Sequence, residues 1–145
     1  MSILRSTLAV ALLVSIPAIG LAQEFPQAPP KLKEAETQGL PRVSTEELKE
    51  FLPGKLDGLG PLGHRIKTFK SDGSVDRTSY SGKKAPDSGT WRFDEANNTY
   101  CQTFRGKMGS QEDCFAVFRA PDGTHFFDYD VKTGFFERTW RRVTE

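Results

Sequence analysis

The chain of 145 residues carries 20 Lys and Arg against 19 Asp and Glu, so it has no basic excess with which to hold nucleic acid or an anionic membrane surface. With 37% hydrophobic residues and two cysteines it has the makeup of one small domain. It contains no His-Glu-x-x-His, phosphate loop, Gly-x-Ser-x-Gly or Gly-x-Gly-x-x-Gly pattern; we read it as a non-enzyme with no cofactor and no metal site.

Residues 1–22 have the layout of an export signal. Arg5 supplies the positive start, and Leu8 to Ile19 an apolar run too short for a permanent membrane helix, which needs about 20 residues. Small Gly20 and Ala22 precede a cut before Gln23. The expected product is periplasmic or secreted, without stable membrane insertion once the signal is gone. Residues 23–42, with Pro26, Pro29, Pro30 and Pro41 among charged and amide side chains, read as a proline-rich extended arm. Residues 43–145 form a single β-rich domain.

Ser44 and Glu47 predict a capping box, and Val43 with Leu48 a hydrophobic staple, at the start of a helix that Pro53-Gly54 stops. Beyond Lys55 the chain breaks into segments of strand length at Ser71-Asp72-Gly73, Ala96-Asn97-Asn98, Gly106-Lys107-Met108-Gly109, Pro121-Asp122-Gly123 and Lys132-Thr133-Gly134. The expected fold is mainly β: an antiparallel up-and-down meander forming a small barrel or sandwich, with one short N-terminal helix. From Gly89 onward there is no Leu or Ile, yet 12 aromatic residues, so large rings must supply that part of the core.

A two-residue turn at Lys107-Met108 places Cys101 opposite Cys114, and opposed cysteines in an exported protein are expected to be bridged. A metal site would want more ligands than these two, and a redox pair closer spacing. Three-residue loops at Pro121-Asp122-Gly123 and Lys132-Thr133-Gly134, each ending on a left-handed glycine, pair Phe118 with Phe126, Val117 with Phe127 and Phe115 with Tyr129. They also pair Phe126 with Trp140, Asp128 with Arg138 and Asp130 with Phe136.

In that register Tyr100, Phe115, Val117, Phe127 and Tyr129 share one face, ending in Arg119, His125 and Arg141. The cystine, Ala116, Phe118, Phe126, Phe136 and Trp140 share the other, with Asp128 and Arg138 as a structural pair between them. One face is expected to line the core, and the other to be covered by the helix, the arm or a ligand. Arg119, His125 and Arg141, side by side, are the candidate ligand-binding residues, two cations and an imidazole for a carboxylate or phosphate. The competing reading makes them strand-end charges neutralised by acids such as Asp122 or Glu145.

The succession of Ser44-Thr45-Glu46-Glu47-Leu48, Pro53-Gly54, Ser71-Asp72-Gly73, Gly89-Thr90-Trp91, Cys101 and Cys114 resembles a group of small exported bacterial β-domain proteins of unknown function, over roughly residues 43 to 140. That resemblance implies a small extracytoplasmic β-domain and supplies no catalytic residues. Two functions fit: a binding or interaction module of the cell envelope, taking a small anionic or apolar molecule or an envelope protein, and an inhibitor of a secreted or periplasmic hydrolase that presents the arm.

Overall fold

The structure, a computed structural model, describes residues 25–78, 87–105 and 111–144. The expected signal and the Lys107-Met108 turn lie outside the described residues. Eight antiparallel strands follow one another as a meander: β1 (Gly54–Gly60), β2 (Gly63–Phe69), β3 (Ser74–Arg77), β4 (Asp87–Asp94), β5 (Thr99–Phe104), β6 (Glu112–Arg119), β7 (Phe126–Asp130) and β8 (Phe136–Arg142). β8 pairs back onto β1, from Leu56↔Arg142 to Leu59↔Thr139, and closes a barrel. Closure gives every strand a hydrogen-bonded neighbour on each side.

Among the described residues two helices precede the barrel, where the sequence suggested one: α1 (Leu32–Thr37) and α2 (Thr45–Phe51). α2 starts on the expected capping box: the Ser44 backbone N–H donates to Glu47 Oε2 at 2.8 Å, and the Glu47 N–H donates to Ser44 Oγ at 3.2 Å. Too short to be stable alone, it buries Leu48 against one end of the barrel. Phe51 stacks near Phe126 and Trp140, with ring centroids 4.8 and 6.3 Å away, so α2 plugs the end at which β1 begins. Lys49 to Glu95, 2.7 Å, and Thr45 to Asn98 tie its rim to the β4–β5 turn.

The proline-rich arm differs from its expected form over residues 25–42. It carries α1 and lies along the outer face of β6–β8, where Ala28, Leu32, Ala35 and Leu40 pack with Ala116, Phe118, Phe127 and Tyr129. That face is as apolar as the interior, so an unattached arm would leave it in water. The prolines have no N–H, and the arm therefore docks chiefly through its carbonyls. Tyr129 donates its hydroxyl to Pro29 O, 2.9 Å, and the N–H groups of Phe136 and Arg119 donate to Pro30 O and Pro41 O, 3.0 and 2.8 Å.

Cys101 and Cys114 are bonded as a disulfide and stand opposite each other in β5 and β6, as the two-residue turn required. The next register differs by one residue. Phe118 pairs with Phe127, Val117 with Asp128 and Ala116 with Tyr129. The cause is the Asp122 carboxylate, which accepts the N–H groups of Thr124 and His125, both at 2.9 Å, and so widens the loop to four residues between Ala120 and His125. Gly123 nevertheless has the expected left-handed φ of 74°. Between β7 and β8, Phe126↔Trp140 and Asp128↔Arg138 stand as expected, but Tyr129, not Asp130, opposes Phe136. Glu137 is the extra residue of a bulge there.

Together these shifts turn Phe126, Asp128, Arg138 and Trp140 into the barrel, and Phe127, Tyr129 and Phe136 out beneath the arm. One slipped residue exchanges the faces of an entire strand.

Candidate functional site

Of the three residues singled out from the sequence, the structure keeps His125 and Arg141 together and separates Arg119 from them. Arg119 points inward near α2, over the Phe126 ring at 5.2 Å, and its guanidinium reaches Glu47 at 3.4 Å. His125, itself buried, and Arg141 lie on the outer face of the barrel and clasp the ring of Phe25, from 5.4 and 5.3 Å. Arg141 is bonded to Asp57 at 3.2 Å, and Asp57 also pairs with His64. His125 Nδ1 lies 2.6 Å from Asp122 Oδ2. Each of the three side chains thus faces an acid, the arrangement of the competing reading, although the acids include Glu47 and Asp57 in addition to Asp122.

Asp122 carries a pH signature. Burial opposes its ionisation, but the backbone N–H groups of His125 and Thr124 and the His125 ring outweigh it and hold the carboxyl at about 2. A carboxylate depressed in the folded state contributes stability that is present above its unfolded pKa, near 3.8, and lost as pH falls through about 2. The melting temperature of the protein is therefore expected to exceed that of Asp122→Asn at pH 5, with the gap narrowing between pH 4 and pH 2. A gap constant from pH 5 to pH 2 would refute the assignment.

The denser chemistry lies inside the barrel, on the side of the core away from α2. Near α2 the lining is Leu48, Leu52, Phe69, Val117, Phe126 and Trp140. Beyond it come four polar side chains, all buried: Lys67 of β2, Gln102 of β5, Asp128 of β7 and Arg138 of β8. Asp128 is fully enclosed, and both its oxygens are taken. The Tyr100 hydroxyl donates to Oδ2, and Trp140 Nε1 donates to Oδ1 at 2.5 Å. Burial pushes the Asp128 carboxyl up, against the pull of Lys67 and these two donors. Burial likewise raises the Tyr100 phenol, and the Asp128 charge adds to that effect, so the phenol stays a donor.

Arg138, 5% exposed, gives one N–H to Glu137 at 3.1 Å, while its buried Nε makes no hydrogen bond among the described residues. Gly58 makes room for it. A Cβ at that position would meet Arg138 Cδ at 3.0 Å and Trp140 Cβ at 3.4 Å. Lys67, 2% exposed, donates to Gln102 Oε1 at 2.9 Å and lies 5.4 Å from the centre of the Phe115 ring. Arg77, at the end of β3, lies 3.7 Å over Phe104 and is bound to Asp87 by two hydrogen bonds of 2.6 and 3.0 Å.

Of this interior group, the sequence reading identified the Asp128–Arg138 pair and missed Lys67 and Gln102. In His64-Arg65-Ile66-Lys67-Thr68-Phe69 the one aliphatic residue, Ile66, points to the wrong face. Only Phe69, two residues on, signalled that Lys67 faces inward.

No protein-family model, curated protein or solved structure matches this chain.

Proposed function

We propose that this chain is an exported binding module of the cell envelope, periplasmic or secreted, whose barrel holds a small anion at the end away from α2. Arg138 carries the reading. It is a permanent cation, almost wholly buried, whose ion pair runs to its chain neighbour Glu137 at 3.1 Å; its Nε has no partner among the described residues, and the nearby Asp128 carboxylate is already committed to Tyr100 and Trp140. A buried polar group without a partner costs about 1–3 kcal/mol, which a carboxylate or phosphate oxygen would recover. Eight-stranded barrels have interiors suited to one small ligand or to side chains alone. The apolar run and small residues of 1–22, with the Cys101–Cys114 bridge, support export. The inhibitor reading gains no support, because residues 25–42 of the arm are spent on the barrel's own outer face.

Calorimetry with acetate, pyruvate and inorganic phosphate at low salt tests the proposal. Binding is expected in the wild type, weakened at least about tenfold in Arg138→Met, a loss of the size a charged hydrogen bond gives. Near-ultraviolet circular dichroism matching wild type would establish that the variant is folded. The pair Arg119→Ala/Arg141→Ala should bind as wild type does. Absence of heat with all three anions, or affinity that survives in folded Arg138→Met, would overturn the reading.

A further inference from the structure

We propose that Lys67 is a carbonyl-trapping amine, and that the ligand class is a small oxo acid held as an imine on Lys67 with its carboxylate on Arg138. This rests on the anion-binding reading above.

The geometry sets Lys67 apart from the lysines whose partners the structure shows. Lys49 and Lys70 are on the surface, and each reaches a carboxylate at 2.7 Å. Lys67 lies in the middle of β2 inside the barrel, and its single hydrogen bond among the described residues runs to a neutral amide oxygen, Gln102 Oε1. An ammonium there would have no carboxylate hydrogen-bonded to it among the described residues, although the Asp128 and Glu137 charges act on it from farther off. Burial, reinforced by Arg138, lowers the Lys67 amine well below its ordinary range, toward the uncharged form that is the nucleophile. Buried amines of this kind are the ones that react with carbonyls. Arg138 therefore has two effects: its charge disfavours the ammonium, and its Nε can receive the acid group of the same ligand.

The chemistry closes without an oxidant or reductant. The Lys67 Nζ lone pair attacks the carbonyl carbon, and the C–O π electrons move to oxygen, which takes a proton to give a carbinolamine. Loss of that oxygen as water, with the two hydrogens that began on Nζ, leaves the C=N bond. The proton that nitrogen gives up is the one that oxygen gains, and a water molecule can carry it between them. Hydrolysis reverses the sequence, so the imine is a reversible mode of binding.

The full-length mature protein is incubated at pH 7 with pyruvate and sodium borohydride, which reduces an imine to a stable secondary amine, and is read by intact mass and peptide mapping. One adduct per chain is expected, on the peptide containing Lys67 and not on the exposed lysines, and it should disappear in Lys67→Met. Acetone, a ketone without an acid group, should label at least about tenfold less, the share a charged hydrogen bond contributes. Mapping on the wild type keeps the test valid if Lys67→Met fails to fold. Labelling spread over the surface lysines, or acetone equal to pyruvate, would overturn the proposal. Absence of any adduct while calorimetry still shows Arg138-dependent binding would remove the imine and leave the anion site standing. Absence of both would remove both.

Discussion

Asp128→Ala is expected to destabilise the protein by about 3–5 kcal/mol, the range for removing one member of a buried charged group. The residue is fully enclosed and serves several neighbours at once. It accepts from the Tyr100 hydroxyl and from Trp140 Nε1, and it stands opposite Arg138 in the β7–β8 pairing. Alanine would leave two donors without an acceptor and Arg138 without its nearest interior counter-charge. Asparagine keeps one carbonyl oxygen and nearly the same volume, so Asp128→Asn should lose clearly less than Asp128→Ala. Tyr100→Phe removes only one donor, and its effect should shrink in the Asp128→Ala background because the partner is already gone. Urea unfolding of the wild type, the three single variants and the Asp128→Ala/Tyr100→Phe double variant measures these differences. A loss below about 1 kcal/mol in Asp128→Ala, the worth of one ordinary hydrogen bond, would show that the carboxylate does not organise the interior.

The second large effect concerns the bridge between β5 and β6. Replacing both cysteines, Cys101→Ser/Cys114→Ser, is expected to cost about 3 kcal/mol, the chain-entropy value for closing a loop of this length. For a domain of this size that corresponds to a fall in melting temperature of roughly 10 °C. Changing both residues avoids a free thiol, and scanning calorimetry of the oxidised protein, the reduced protein and the variant gives the result. The reduced wild type and the variant should melt together, below the oxidised form. Equal melting of all three would mean that the ladder from Thr99↔Ala116 to Thr103↔Glu112 holds the hairpin without help.

The features legible from the sequence were those set by local chemistry. The Ser44–Glu47 box, the glycines at 123 and 134 and the opposition of Cys101 and Cys114 depend on residues a few positions apart or on one short turn, and each appears where expected. Sheet faces depend on a count carried across a loop. The second hydrogen bond accepted by Asp122 adds one residue to that count, and it was enough to exchange the faces of β7. The candidate group lost Arg119 with it, because Arg119 joins His125 only in the register the sequence suggested, whereas His125 and Arg141 stay together on either side of Phe25. The interior group escaped for a different reason: charged residues in a strand read as solvent-facing, and what brings Lys67 and Arg138 inward is space left by Gly58 and partners on distant strands. The arm escaped because proline-rich composition reports the flexibility of a free segment and says nothing of an apolar surface waiting for it.

Closure of the barrel by its first and last strands also governs when the chain can fold. No partial product can complete the sheet: until β8 exists, β1 and β7 each keep an open edge, and Thr139 has yet to reach Pro26 O, 113 residues earlier in the chain. Such distant pairings give high contact order and slow folding. Until β8 has emerged the chain therefore cannot close its sheet, however much of β1 to β7 has formed. The same dependence makes β8 a quality checkpoint. A product ending before Phe136 would present two unpaired strand edges, and its fate would be aggregation or proteolysis, not a weakened barrel.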